Sequence, residues 1–124
     1  MIMEIALTKG RHEIRSPISG KEVTGSFFGK EVYGDVFDVE AHMETVKETL
    51  KGLPMDTTIV VYVTGLTPLF QAVFAAWLEM NCFGPAMSLD MHPGNLVFAH
   101  YDKDEETYVF RDALTGSTEQ PKSP

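Results

Sequence analysis

This chain is poor in cysteine and in positive charge. Its single cysteine, Cys82, excludes an internal disulfide and a cysteine-built zinc site, and its place just past an apolar helix reads as a small buried hydrophobe. Lys and Arg number 10 against 18 Asp and Glu, a net charge of −8. That balance argues against long nucleic acid as the main partner, because such binding neutralises many phosphates. A small phosphorylated ligand stays open, since a helix terminus and one or two basic side chains suffice for it.

No long hydrophobic run is present either. The most apolar stretch, Leu66 to Leu78, is interrupted by Gln71 and falls short of a membrane span. The opening Met1-Ile2-Met3-Glu4-Ile5 has no basic region, so no signal peptide is expected and a cytoplasmic location follows, with no membrane partner. There is no internal repeat and no Walker A loop, G-x-G-x-x-G, H-E-x-x-H or G-x-S-x-G. His12, His42, His92 and His100 lack ligand spacing, so neither a metal site nor a cofactor is expected.

What is present fits one domain, since 124 residues are too few for two ordinary ones. Residues 1–114 read as a single α/β domain. The polar stretch 115–124 reads as a flexible C-terminal tail that can be removed without loss of stability. Met3 to Leu7 predicts a first strand, and Ile14 to Val36 predicts short strands with turns at Ser19-Gly20 and Phe28-Gly29. A first helix is expected after the cap Asp38. Its apolar stripe is Val39, Met43, Val46 and Leu50, its solvated face includes His42, Glu44, Lys47, Glu48 and Lys51, and Gly52 offers a left-handed stop.

Thr57 to Val63 carries consecutive β-branched and aromatic residues without alternation, which describes a strand buried on both faces. Pro68 to Met80 predicts a second helix with Thr67 at its N-cap and Pro68 at N1, apolar nearly all round and therefore covered on most sides. Ala86 to Met91 predicts a strand and His92-Pro93-Gly94 a turn. Asn95 to Tyr101 and Thr107 to Arg111 flank the charged loop 102–106 and predict a β-hairpin. The sum is a small Rossmann-like mixed sheet with two main helices and a C-terminal β-hairpin. Two helices cover two faces of such a sheet poorly, so a homodimer is expected.

In open α/β sheets ligands gather at the carboxyl ends of strands beside helix N-termini. Here that place is the turn Thr64-Gly65-Leu66-Thr67-Pro68. Gly65 permits close backbone approach, Thr64 and Thr67 bring hydroxyls, and Gln71 is the only amide near the start of an apolar helix. The same turn is also a sound strand-to-helix connection with no ligand at all. Lys9-Gly10-Arg11-His12 follows the first strand and opens on the same edge if that strand is parallel to Thr57–Val63. Lys9 or Arg11 could then meet an anion, and His12 could transfer a proton. His100 shares a strand face with Phe98, as a half-buried histidine or as a base.

The segment Val61-Tyr62-Val63-Thr64-Gly65-Leu66-Thr67-Pro68, followed by the apolar helix and a strand ending His100-Tyr101-Asp102, resembles small Rossmann-like proteins of CRISPR and antiviral defense systems. That group includes ring-nuclease-type and CARF-like domains. The resemblance spans roughly residues 57–110; the N-terminal third and Asp90-Met91-His92-Pro93-Gly94 fall outside it. It implies binding of an anionic nucleotide, such as a cyclic oligonucleotide second messenger, that is sequestered or cleaved without metal. Lys9, Thr64, Gly65, Leu66, Thr67 and Gln71 would hold the ligand, with Arg11 and His100 as the catalytic candidates. The residues leave open whether the protein is an enzyme. A rival reading is a non-enzymatic interaction or accessory protein using Phe27, Phe28, Tyr33 and Phe37 as an aromatic patch.

Overall fold

A computed structural model of the chain describes residues 2–8, 13–29, 37–54, 57–63, 67–81, 95–118 and 120–121. The expected strand at Ala86–Met91, the turn at His92–Gly94 and Tyr33 lie outside these residues. Chain order is β1 (Ile2–Thr8), β2 (Ser26–Phe28), α1 (Val39–Leu50), β3 (Thr58–Tyr62), α2 (Thr67–Asn81), β4 (Leu96–Asp102) and β5 (Thr107–Asp112). The strands form one five-stranded sheet in the order β2-β1-β3-β4-β5. The pairs β1–β2, β1–β3 and β3–β4 are parallel, and β4–β5 is the antiparallel hairpin. This is the expected small Rossmann-like mixed sheet.

The order reverses between β1 and β3. A right-handed crossover that runs one way along the sheet lies on the opposite face from one that runs the other way. The two cores follow that rule. One packs Ile5, Leu7, Ile59, Val61, Leu96 and Phe98 of the sheet against Val46 and Leu50 of α1 and Leu69, Val73, Ala76 and Trp77 of α2. The other packs Ala6, Val60, Tyr62, Val97, Ala99 and Phe110 beneath Ile14, Ile18 and Val23 of the β1–β2 connection. Both helices therefore share one face, and a turn held by the Arg15–Glu22 bridge covers the other. Gly20 takes φ +76° in that turn, a conformation that glycine adopts without strain.

Helix α1 starts where Asp38 accepts a hydrogen bond from the Ala41 N–H (3.2 Å). Two expectations fail on this helix. His42 is buried rather than solvated, with its ring edge-on to Phe28 (centroids 5.4 Å apart), because β2 packs over that side of the helix. Gly52 is not left-handed: Lys51 ends the helix in right-handed geometry, its N–H bonded to the Lys47 carbonyl. Lys47 bridges to Glu79 of α2 (2.8 Å) and to Glu44 (3.5 Å), and the Glu79 hydrogen bond holds its ammonium above the usual lysine range. Helix α2 buries Leu69, Ala72, Val73, Ala76 and Trp77, positions that follow the i, i+3, i+4, i+7, i+8 rule. Phe27 and Phe28 are core residues of β2, so they form no surface patch; Phe37 is 75% exposed.

The hairpin ends in a closed turn. The Asp112 N–H bonds the Ser117 carbonyl (2.8 Å) and the Gly116 N–H bonds the Asp112 carbonyl (2.9 Å). Asp112 Oδ1 also accepts from the N–H groups of Leu114 and Thr115, each at 2.9 Å. Backbone hydrogen bonding thus reaches Ser117, within the stretch read as a tail. Truncation after Ser117 is expected to leave the melting temperature unchanged. Truncation after Leu114 removes both turn bonds and should cost about 1–3 kcal/mol, several degrees by thermal denaturation.

Candidate functional site

The parallel pairing Ala6↔Tyr62 and Tyr62↔Ala99 brings the carboxyl ends of β1, β3 and β4 to one edge. Hence the chain leaves β1 at Thr8 and β3 at Val63 side by side, at the point where strand order reverses. The condition placed on Lys9 and Arg11, that β1 be parallel to β3, is met. Lys9, Arg11 and His12 themselves, and Thr64, Gly65 and Leu66, lie outside the described residues. Thr67 is the first residue of α2. Gln71 is exposed, although its helix was expected to be covered on most sides. It stands one turn into α2.

His100 is placed one strand away from the reversal, on the helix-bearing face of β4. Alternation sets it in line with Phe98, as expected. Its ring lies 6.1 Å from that of Phe70 in the first turn of α2. Burial, and secondarily the Arg111 guanidinium, pull its pKa below the ordinary imidazole value of 6.5. His100 is therefore mainly neutral at pH 7, fit to accept a proton rather than to act as a fixed cation.

Around His100 the structure shows a cleft of about 490 Å³ that reading the sequence missed. Phe70, Phe74, Phe98, His100 and Arg111 line it, together with the turn from Asp112 to Gly116. Phe98 pairs directly with Arg111, so both side chains leave the same sheet face. The clue was present in the sequence: placing Thr107–Arg111 antiparallel to the strand carrying Phe98 and His100 puts a basic residue beside them.

A half-buried polar cluster on the opposite face was also missed. Glu4 Oε1 accepts hydrogen bonds from the Tyr62 hydroxyl (2.7 Å) and the Ser16 hydroxyl, and Oε2 accepts from Ser19 (3.1 Å). Ser16 Oγ in turn accepts from the N–H groups of Ile18 and Ser19, both at 3.0 Å. Burial, with the Glu4 hydrogen bond, pushes the Tyr62 phenol well above its usual range, so it stays a donor. The cluster ties the β1–β2 connection onto β1 and β3. Glu4 inside an apolar strand and Tyr62 inside a β-branched run were its sequence signals.

Among the described residues no group of His, Cys, Asp and Glu could hold a metal ion, and no helix is long and apolar enough to cross a membrane. Searches of family models, curated proteins and solved structures found no match to this chain.

Proposed function

We propose that this protein binds a small anionic nucleotide, with a cyclic oligonucleotide as the leading candidate, at the carboxyl edge of its sheet. One observation carries the reading: strand order reverses between β1 and β3, so the segments with Lys9 and Arg11 and with Thr64, Gly65 and Leu66 depart from adjacent strands. Reversal points of open α/β sheets are where ligands bind, and α2 begins directly after one of those segments. Thr64, Gly65, Leu66, Thr67 and Gln71 serve the phosphate side.

In the catalytic version of this reading the ring is opened without metal. A ribose 2′-oxygen forms a bond to the adjacent phosphorus and the bond to the 5′-oxygen breaks, giving a 2′,3′-cyclic phosphate and a 5′-hydroxyl. Arg11 stabilises the charge that develops, and neutral His100 accepts the 2′-hydroxyl proton, which returns to the leaving oxygen. Sequestration needs the same contacts without this step.

A thermal-shift screen against mono-, di- and cyclic oligonucleotides tests the reading, and a shift specific to cyclic forms is expected. Gly65→Val should abolish binding by blocking backbone approach. Gln71→Leu should remain folded and lose on the order of 1–3 kcal/mol of binding. No shift with any nucleotide would favour the interaction-protein reading instead. Assembly as a homodimer belongs to the same proposal, and exposed Phe37, Tyr101 and Leu114 supply apolar surface for it. Light scattering should then return twice the 13.8 kDa chain mass.

A further inference from the structure

The cleft between α2 and the β4–β5 hairpin has features that the edge of the sheet does not explain. Its volume, about 490 Å³, lies in the range of small-molecule sites. Phe70 and Phe74, one helical turn apart, are only half-buried, while Phe98 beneath them is in the core. The Phe70 and Phe98 centroids are 4.3 Å apart. Aromatic surface is thus gathered where a soluble helix would ordinarily present polar residues.

Charge in the cleft is the second feature. Arg111 is exposed and makes no ion pair with any described residue, although the chain carries a net charge of −8. The nearest carboxylate in sequence, Asp112, is occupied in closing the hairpin turn through Oδ1. His100 shares the strand face of Arg111, whose guanidinium disfavours a proton on the imidazole. An anion between them would relieve that repulsion.

We propose that this cleft binds a planar ring carrying an anionic group, with the ring against Phe70 and Phe74 and the anion at Arg111 and His100. A phosphate-bearing nucleobase and an aromatic carboxylate share that chemistry. Neither half suffices: an uncharged ring leaves Arg111 unmatched, and a bare anion leaves the aromatic wall wet. Of its described lining residues, only His100 also figures in the nucleotide reading at the β1–β3 reversal.

Titration calorimetry on the intact chain with a nucleoside 5′-monophosphate, the matching nucleoside, 2-naphthoate and inorganic phosphate tests the proposal. A ring-bearing anion should bind about ten-fold or more tighter than the nucleoside or phosphate alone. If the nucleotide and naphthoate bind equally, ring and anion are the whole of the recognition; a tighter nucleotide assigns the cleft to nucleotides. Arg111→Gln and Phe70→Ala should each weaken binding by about ten-fold with folding retained by circular dichroism. Gly65→Val should leave the binding of 2-naphthoate unchanged. Binding should also raise the His100 pKa in a proton NMR titration, since an adjacent anion favours the imidazolium. Failure of every ring-bearing anion to bind at millimolar concentration would overturn the proposal. So would binding that Gly65→Val abolishes and Arg111→Gln leaves intact, which would move the ligand to the sheet edge.

Discussion

Glu4→Ala should destabilise the fold by about 2–4 kcal/mol and lower the melting temperature by roughly 10 °C. The physical reason is the number of donors that one carboxylate serves. The Tyr62 hydroxyl, 2.7 Å from Glu4 Oε1, belongs to a fully buried side chain, and Ser16 is equally enclosed. Removing the acceptor leaves the donors of two buried side chains without a partner, and each orphan costs about 1–3 kcal/mol. Tyr62→Phe removes one donor and leaves the carboxylate its serine partners, so about 1 kcal/mol is expected. The double variant should then be less damaged than the sum, because the orphaned phenol is gone, and a coupling of about 1 kcal/mol or more follows. Urea denaturation of the four proteins measures it. Additive costs would show that the carboxylate is not the partner that keeps this phenol satisfied.

Phe98→Ala should cost about 3–5 kcal/mol, the range for deleting a buried aromatic ring. Phe98 is 4% exposed and packs against Phe70 and Phe74, with centroids 4.3 Å and 6.5 Å away. It also floors the cleft, so the cavity left behind opens into existing space rather than collapsing. Arg111→Gln, on the directly paired residue of β5, should change stability by no more than about 0.5 kcal/mol, as surface substitutions do. Paired residues would then differ several-fold in stability effect while both shape the same cleft. Chemical denaturation checks the contrast; a large loss in Arg111→Gln would mean that the guanidinium is structural.

The elements most legible in the sequence were those with strong local periodicity. The run from Thr57 to Val63 gave β3, buried on both faces as its unbroken β-branched pattern required. The Asp38 cap gave α1, and the charged loop between two strand-like runs gave the β4–β5 hairpin. His42 was misassigned because the stripe was drawn through apolar residues alone, whereas an imidazole can be buried when an aromatic edge packs on it. Gln71 was misjudged for the complementary reason. A helix apolar by composition still has an outer side, and Gln71 lies on it.

By itself, the sequence determined the α/β class, the strong elements and the turn after β3 as a place where a strand meets a helix. Those properties depend on neighbours within a few residues, where side-chain period and capping act. Only the tertiary structure decided that both helices share one face, since this follows from strand order and crossover hand. It alone joined Glu4 to Tyr62, 58 residues apart, and fixed the register that sets Arg111 directly opposite Phe98. Such contacts depend on register between strands. A shift of one residue would send these side chains to the other face, and burial over the whole sheet, which no local pattern contains, is what forbids it.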